Sequence, residues 1–323
     1  MATNFIGGSV LRLEDPTLIR GRGRFAADIN FPHQLHMRVV RSTRAHGKIL
    51  SIDTSLALAH PGVMAVWTSA DVRNVPPINL REGRIEQFEP YYQPILAKDY
   101  VRYVGEPVAV VFAQDPYLAE DAADLVAVEI EDLPATLSAD HPPGEFSPGR
   151  STEVTIIDKS FGDVEAAFRN AHSIIDLQLK IGRHSGVPLE TRGVIARLET
   201  VSDILEMHGA AKVPHRTRDL LAQLLGRSPS SVHLFEGHTG GGFGIRGELY
   251  PEDVLACLAT LRMGRPIKWI EDRREHLMAA NHSREQNHRL RVATDSAGHS
   301  LSKTNSFTTR VRIFAPTGRG SWT

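Results

Sequence analysis

The chain has 323 residues, of which 41% are hydrophobic and 23% are charged. This length and composition predict a folded protein of two or more domains and exclude a disordered one. Lys and Arg total 37 against 38 Asp and Glu, so the balanced charge predicts no general attraction to nucleic acid or anionic lipid.

A single cysteine, Cys257, excludes an intrachain disulfide, a four-cysteine zinc site and a cysteine-held iron–sulfur cluster. The first residues lack the basic and apolar regions of a secretion signal. The longest apolar runs are about six residues, whereas a membrane-spanning helix needs about 20. The sequence therefore predicts a cytoplasmic protein without a membrane partner.

The first 135 residues alternate between strand-like and helix-like segments. The run VAVVFA at 108–113 is entirely apolar and predicts a strand buried on both faces. Asp115 and Pro116 then favour a helix start, because aspartate caps a helix N-terminus and proline fits its first turn. Strands are also predicted over 34–41, 63–67 and 126–130, and a short helix over 54–60. The pattern predicts one small α/β domain over residues 1–135.

The segment 136–152 is rich in proline, glycine, serine and threonine, which predicts a linker before a second domain over 153–298. Alternation of apolar and polar residues predicts a half-buried strand over 175–181. Helices are predicted over 160–171, 214–225 and 251–263, and strands over 194–199, 203–208, 232–235, 267–270 and 286–294. The predicted fold class is α+β, a small α/β domain followed by part of a mixed α/β domain.

Four glycines within residues 240–244 form the strongest local signal, GGGFG, between a predicted strand and a predicted helix. Such a loop lets backbone N–H groups approach an anion or an oxo group closely. The stretch also fits a dinucleotide-binding pattern as Gly242-x-Gly244-x-x-Gly247, with Glu271 as the ribose carboxylate. The helix start at Pro251 disfavours that interpretation, because a phosphate-binding loop runs directly into its helix. The alternative to both binding interpretations is a glycine-rich turn that holds no ligand.

Other chemistry-bearing residues are interpreted as surface groups. His276, His282 and His288 recur every six residues, which points them to different faces of a helix and favours solvated histidines over a shared metal site. The run EDRRE at 271–275 is predicted to be a charged, solvated face. The chain contains neither a GK[ST] phosphate-loop ending nor a GxSxG nucleophile elbow.

Four stretches together resemble the molybdenum-binding large subunit of the xanthine dehydrogenase, aldehyde oxidase and carbon monoxide dehydrogenase family. RGRGRFAADI (20–29) with 41–53, and the run 103–135, are similar to its a/b hammerhead domain. SGVPLETRG (185–193) and HTGGGFGIRG with its following helix and strand (238–277) are similar to its first molybdopterin-binding domain. The resemblance covers residues from about 10 to about 298 and implies that the second domain is incomplete.

The resemblance implies an oxidoreductase that hydroxylates an aldehyde or heteroaromatic carbon with oxygen from water. Electrons then leave through two [2Fe–2S] clusters and often FAD. Because one cysteine cannot hold such clusters, the resemblance implies a separate [2Fe–2S] subunit and a separate FAD subunit. It also implies molybdenum–molybdopterin cytosine dinucleotide as the cofactor, bound at a site that is incomplete in this chain.

By the same resemblance, the backbone amides of Phe243 and Gly244 face an oxo ligand of molybdenum. Gly240, Gly241 and Gly242 give the loop its close approach. Lys212 stands near the metal, where the family commonly has glutamine.

Three further departures bear on the activity. Ile245-Arg246 replaces the usual Gly-Lys, and Gly247 stands where purine-oxidising members have an acidic residue, so xanthine is a poor substrate candidate. The family's general-base glutamate has no counterpart by motif in residues 1–323, so no catalytic residue is assigned.

The resemblance stops near residue 299, and residues 299–323 show no helical or strand period. Codons allowed for this tail, shifted by one nucleotide, can encode a continuation similar to the family, so we interpret it as an out-of-frame tail. The chain is then expected to be inactive alone and to expose an apolar face carrying Leu220, Leu221 and Leu224. A naturally split large subunit completed by a second chain, and a non-catalytic binding or assembly protein, are the alternatives.

Overall fold

A sheet that draws its strands from both halves of the chain lies at the centre of the fold. The computed structural model describes residues 6–79, 86–138, 141–310 and 317–322. The strands, in chain order, are β1 Leu35–Arg41, β2 Gly47–Asp53, β3 Val63–Trp67, β4 Tyr100–Val101, β5 Pro107–Ala113, β6 Ala127–Asp132, β7 Glu145–Ser147, β8 Arg150–Ser151, β9 Glu153–Lys159, β10 Ser173–Ile181, β11 Gly193–Glu199, β12 Ile204–His208, β13 Val232–Phe235, β14 Ile267–Ile270, β15 Glu285–Thr294, β16 Ser300–Arg310 and β17 Thr317–Trp322.

The α-helices, in chain order, are α1 Asp15–Leu18, α2 Ser55–Ala59, α3 Pro116–Asp124, α4 Val164–Arg169, α5 Pro214–Leu224, α6 Pro251–Met263 and α7 Arg273–Ala279. Local sequence explains the ends of the best-predicted helices. Asp115 caps α3 by accepting from the backbone N–H of Tyr117 at 2.8 Å. Gly264 ends α6 in the left-handed conformation that glycine adopts most easily. Within the described ranges, no helix is long and apolar enough to cross a lipid bilayer.

The central sheet has the strand order β13-β12-β11-β14-β1-β5-β3. β1 pairs in parallel with β14, so Leu35 lies opposite Ile267 across the two halves of the chain. β5 is buried along its whole length, as its uninterrupted apolar run predicts. β11 and β12, which correspond to the strands predicted over 194–199 and 203–208, pair antiparallel as a hairpin. One hydrophobic core consequently includes residues from both predicted domains.

The predicted helix over 160–171 and the predicted linker over 136–152 both differ from their predictions. The helix predicted over 160–171 is shorter, because Gly162 lies in the left-handed region and the Asp163 side chain caps the helix that starts at Val164. The segment predicted as a linker contains β7 and β8, which pair with each other. Phe146 of β7 is buried against Tyr91, with ring centroids 5.3 Å apart, so this segment packs on the first half of the chain.

The apolar face predicted to be exposed on α5 is instead part of the core. Leu221 and Leu224 are buried, and Leu220 is partly buried against the same cluster. The exposed apolar surface lies on β10, the edge strand of a second sheet ordered β10-β15-β16-β17-β9. On one face of β10, Ile175, Leu177, Leu179 and Ile181 each remain between 45% and 48% exposed. The prediction for α5 was wrong because α5 packs its apolar stripe on the central sheet.

Residues 300–310 and 317–322, for which the sequence indicates no regular element, continue the second sheet. The rest of the predicted tail, 311–316 and 323, lies outside the described residues. β16 pairs antiparallel with β15, and β17 pairs antiparallel with β16. Strand pairing uses backbone groups, so it needs no side-chain period in the sequence. The out-of-frame origin of this tail stays a hypothesis.

A Leu221→Ala variant should lose about 2–5 kcal/mol of unfolding free energy, because it removes buried methyl groups and leaves a cavity. Leu221 is fully buried in the core that joins the two halves. Leu13→Ala, at a side chain that is 96% exposed, is the matched control and should change stability by less than about 0.5 kcal/mol. Urea unfolding followed by circular dichroism measures both. Equal losses in the two variants would contradict the assigned core.

Candidate functional site

The glycine-rich loop connects β13 to α6 and includes a short 3₁₀ turn over Ile245–Gly247. Gly244 has a φ of +89°, a backbone conformation that residues with a Cβ rarely adopt. A Cβ on Gly240 would lie only 2.5 Å from the Cβ of Glu190. Because no side chain fits in that space, the loop can approach the segment around Glu190 this closely only with glycine at 240. The glycines therefore serve both a turn and a close backbone contact.

The outer part of this loop carries a row of unpaired donors. Within the described residues, the backbone N–H groups of Gly241, Gly242, Phe243 and Gly244 donate to no protein acceptor. A Cβ added to Gly242 or Gly244 would meet no atom within 4 Å, so the space in front of the loop is open. Four adjacent unpaired amides next to open space are suited to an anion or an oxo group. We call Gly241–Gly244 the amide row.

Two charged side chains hold the loop from behind. The Glu190 carboxylate accepts from the N–H of Gly240 at 2.8 Å and from the N–H of Ala26 at 3.2 Å. Arg246 Nη2 donates to Glu190 Oε2 at 2.9 Å, and Arg246 Nε donates to the carbonyl of Gly241 at 2.9 Å. Only 4% of the Arg246 side chain and 13% of the Glu190 side chain are exposed. Sequence comparison with the family marks Arg246 only as a departure, whereas the structure shows that it supports the loop.

Lys212 lies directly beside the loop. Its backbone N–H donates to the carbonyl of Arg246 at 3.0 Å. Its side chain is exposed, and its Cδ lies 3.8 Å from the position that a Cβ on Gly247 would take. The structure thus brings together Lys212 and all five loop residues, 240–244, that the sequence selects. Their role in binding a cofactor stays a prediction.

The charged run at 271–275 is not the solvated face that the sequence predicts. Glu271 and Glu275 are buried and only 1% and 3% exposed. Arg192 donates to Glu271, with the shortest contact at 2.5 Å, and Arg41 donates to Glu275 at 2.8 Å. Arg41 and Arg192 also share Glu252, at 2.7 and 3.3 Å. The prediction was wrong because the partners of these carboxylates lie tens to hundreds of residues away along the chain.

His276 was also interpreted wrongly as a surface residue. It is fully buried, and its Nδ1 lies 2.7 Å from Glu271 Oε2. His282 and His288 are partly exposed and lie outside this cluster. Glu271, which would be the ribose ligand of a dinucleotide site, is therefore fully engaged by Arg192 and His276. This engagement, together with the helix start at Pro251, disfavours the dinucleotide interpretation.

Acid should weaken the fold through Glu271. Burial alone raises the pKa of Glu271, but Arg192 and the hydrogen bond with His276 outweigh it and lower this pKa from 4.5 to about 2. A lowered folded-state pKa means that this stabilisation is complete above about pH 4.5 and is lost as the pH falls towards 2. Urea unfolding at several pH values between about 7 and 3 measures the effect. Glu271→Gln should start from a lower stability and decline less between about pH 4.5 and 3, and an equal decline would contradict this assignment.

Comparison with known proteins identifies two family models along the chain. Residues 20–134 match the model of the aldehyde oxidase and xanthine dehydrogenase a/b hammerhead domain. Residues 146–311 match the model of the molybdopterin cofactor-binding domain. This matched segment of the chain contains the glycine loop, Glu190 and Lys212. The second match continues to residue 311, past residue 299, where the resemblance of the sequence motifs stops.

Curated relatives align over most of this chain. It is 42% identical over 304 residues to the 6-hydroxypseudooxynicotine dehydrogenase complex subunit gamma of Paenarthrobacter nicotinovorans. It is 41% identical over 299 residues to the nicotine 6-hydroxylase large subunit of the same organism. The alignments cover 92% and 91% of this chain but only 38% and 37% of the relatives. The chain thus spans well under half the length of these two relatives.

Among solved structures, quinoline 2-oxidoreductase from Pseudomonas putida 86 superposes with a TM-score of 0.82 at 35% identity. The superposition covers 93% of this chain and 38% of that one. Aldehyde oxidoreductase from Desulfovibrio desulfuricans superposes with a TM-score of 0.84 at 22% identity, a likeness of fold alone. The predicted order, an a/b hammerhead domain followed by a mixed α/β molybdopterin-binding domain, agrees with these matches.

Proposed function

This chain belongs to the family of molybdenum-binding large subunits that includes xanthine dehydrogenase, aldehyde oxidase and carbon monoxide dehydrogenase, and we propose that it is the N-terminal portion of a molybdenum hydroxylase. The amide row is the observation that carries this proposal. It lies within the segment that matches the molybdopterin cofactor-binding domain, and its donors have no acceptor among the described protein residues. A negatively polarised group on a cofactor would supply those acceptors.

The residues present fit such a group. Open space lies in front of Gly242 and Gly244, and Lys212 adds a positive charge at the edge of the loop. We assign the amides of Phe243 and Gly244 to hold an oxo group, as a preorganised donor pair holds an oxyanion. Gly240, Gly241 and Gly242 allow the backbone to approach it. Lys212 would bind an anionic part of the same cofactor.

When bound, a molybdenum–molybdopterin cofactor supplies two-electron oxidation of a carbon centre, with oxygen taken from water. This chain's own contribution is to bind and orient that cofactor through the amide row and Lys212. We propose the cytosine dinucleotide form of the cofactor, and a separate [2Fe–2S] subunit and FAD subunit as electron acceptors. The name of a similar protein, subunit gamma of a dehydrogenase complex, supports separate subunits. A cytoplasmic location stays a prediction.

A nitrogen-containing aromatic ring is the substrate class that we favour over an aldehyde. Two of the most similar proteins are named as a nicotine 6-hydroxylase and a quinoline 2-oxidoreductase. Gly247, at the position where purine-oxidising members have an acidic residue, supports a substrate other than xanthine.

Metal and pterin analysis tests the proposal. The chain is purified, with whatever subunits accompany it, from cells that make the molybdenum cofactor. Molybdenum is measured by plasma mass spectrometry and the pterin by the fluorescence of its oxidised form. We expect both in a fixed ratio to this chain, and a cytosine nucleotide after hydrolysis. A folded chain that carries neither molybdenum nor pterin, with or without co-purifying subunits, would contradict the proposal and favour a non-catalytic binding or assembly protein.

A further inference from the structure

Glu190 and Arg246 close the glycine loop into a ring. Arg246 Nε reaches back to the carbonyl of Gly241, five residues earlier, at 2.9 Å. Its Nη2 donates to the Glu190 carboxylate at 2.9 Å and to the carbonyls of Glu190 and Thr191 at 2.9 and 3.0 Å. One guanidinium thus connects the middle of the loop to the neighbouring segment through four acceptors.

Glu190 completes the connection from the other side. Its carboxylate accepts from the N–H of Gly240, and its own N–H donates to the carbonyl of Gly240 at 3.2 Å. The base of the loop is therefore fixed by a reciprocal pair of bonds, and the loop middle is fixed by Arg246. These bonds use the carbonyl of Gly241 and the amide of Gly240, so the amides of Gly241–Gly244 stay without an acceptor among the described residues.

We propose that the Glu190–Arg246 pair is a positioning device that presets the amide row for its ligand. This inference rests on the proposed function, because it assumes that the row receives the cofactor. Neither side chain is a catalytic residue, since both lie behind the loop and are largely buried. A row that is already in place need not be ordered when the ligand binds, which strengthens binding.

Arg246 makes more bonds to the loop than a single-point cation could. Its planar fork donates in several fixed directions at once, whereas a lysine ammonium is a compact charge on a flexible stem. A methionine at 246 has a similar length but no donor. Arg246→Met therefore removes the bonds to the Gly241 carbonyl and to Glu190 together.

The test compares Arg246→Met and Glu190→Gln with a matched control, Arg216→Met. Arg216 is a partly exposed arginine that lies 3.9 Å from Glu248 and makes no contact with the amide row. Hydrogen exchange is measured in the purified chain at the amides of Gly240, Ile245 and Gly247, which are bonded within the loop or to Glu190. The melting temperature measures the global stability of each variant, and the molybdenum content measures how much cofactor it binds.

We expect exchange at these three amides to rise by roughly tenfold or more in both loop variants, and by more than at the amides of the central sheet. Each variant leaves a buried partner uncompensated, so the melting temperature should fall while the chain stays folded. Molybdenum content should fall in parallel, and Arg216→Met should match the parent in all readouts. Unchanged exchange in Arg246→Met would overturn the inference, and so would an equal rise throughout the chain, which would show a general structural role. Faster loop exchange with unchanged molybdenum content would also overturn it, whereas a parent chain without molybdenum would contradict the proposed function.

Discussion

A Gly244→Val variant should keep its fold and lose most of its bound molybdenum and pterin. Gly244 has a φ of +89°, which a β-branched residue strongly disfavours, so the loop must change shape to accept it. The new side chain would also enter the open space in front of the amide row. We expect molybdenum per chain to fall roughly tenfold or more, the scale on which losing one or two good hydrogen bonds changes affinity.

Gly298→Val is the matched control for this prediction. Gly298 has a nearly equal φ of +85° and also has open space around its Cβ position, but it lies in the turn between β15 and β16. It therefore carries the same backbone strain away from the loop. Molybdenum content in this variant should equal that of the parent. Equal content in Gly244→Val and the parent would remove the glycine loop from the cofactor site.

An Arg41→Met variant should lose about 3–5 kcal/mol of unfolding free energy, because removing one member of a buried ion pair leaves its partners uncompensated. The Arg41 side chain is 5% exposed and those of Glu252 and Glu275 are 2% and 4% exposed. With Arg41 absent, the ion-pair partners left among the described residues are Arg192 for Glu252 and Arg38 for Glu275. The effect should reach the whole fold, because Arg41 lies in β1 whereas Glu252 and Glu275 lie in α6 and α7.

Denaturant unfolding measures this loss, and Arg169→Met is its control. Arg169 pairs with Glu165 at 3.4 Å on the surface, where the two side chains are 66% and 88% exposed. Such a pair contributes little, so the control should change stability by less than about 0.5 kcal/mol. We expect one transition that shifts as a unit in Arg41→Met. Two separated transitions, or a loss no larger than that of the control, would contradict the assigned role of the cluster.

The roles of Gly244 and Arg41 cannot be recognised from their residue types alone. The amide row follows from unpaired donors, and the buried cluster follows from distances between residues far apart in sequence. Lys212 differs from both, because the family resemblance points to it and the structure also places it beside the loop. Its contact with a bound cofactor is a proposal, and the molybdenum content of a Lys212 variant would test it.

The sequence by itself determined most of the local structure. The apolar run of β5, the Asp115 cap of α3, and the Pro251 and Gly264 ends of α6 each act within a few residues. Periodicity, capping and turn chemistry are local properties, so they are readable without the fold. The resemblance to a known family came from the order of four short stretches, and the family models later matched the same regions.

Only the tertiary structure decided which charged and apolar residues are buried. The sequence predicts a charged, solvated face for Glu271 and Glu275, yet Arg192 reaches Glu271 from 79 residues away and Arg41 reaches Glu275 from 234 residues away. The apolar stripe of α5 is covered, whereas that of β10 is open, although both look amphipathic in sequence. Burial depends on which distant element packs against a residue, and a pattern of neighbours along the chain does not contain that information.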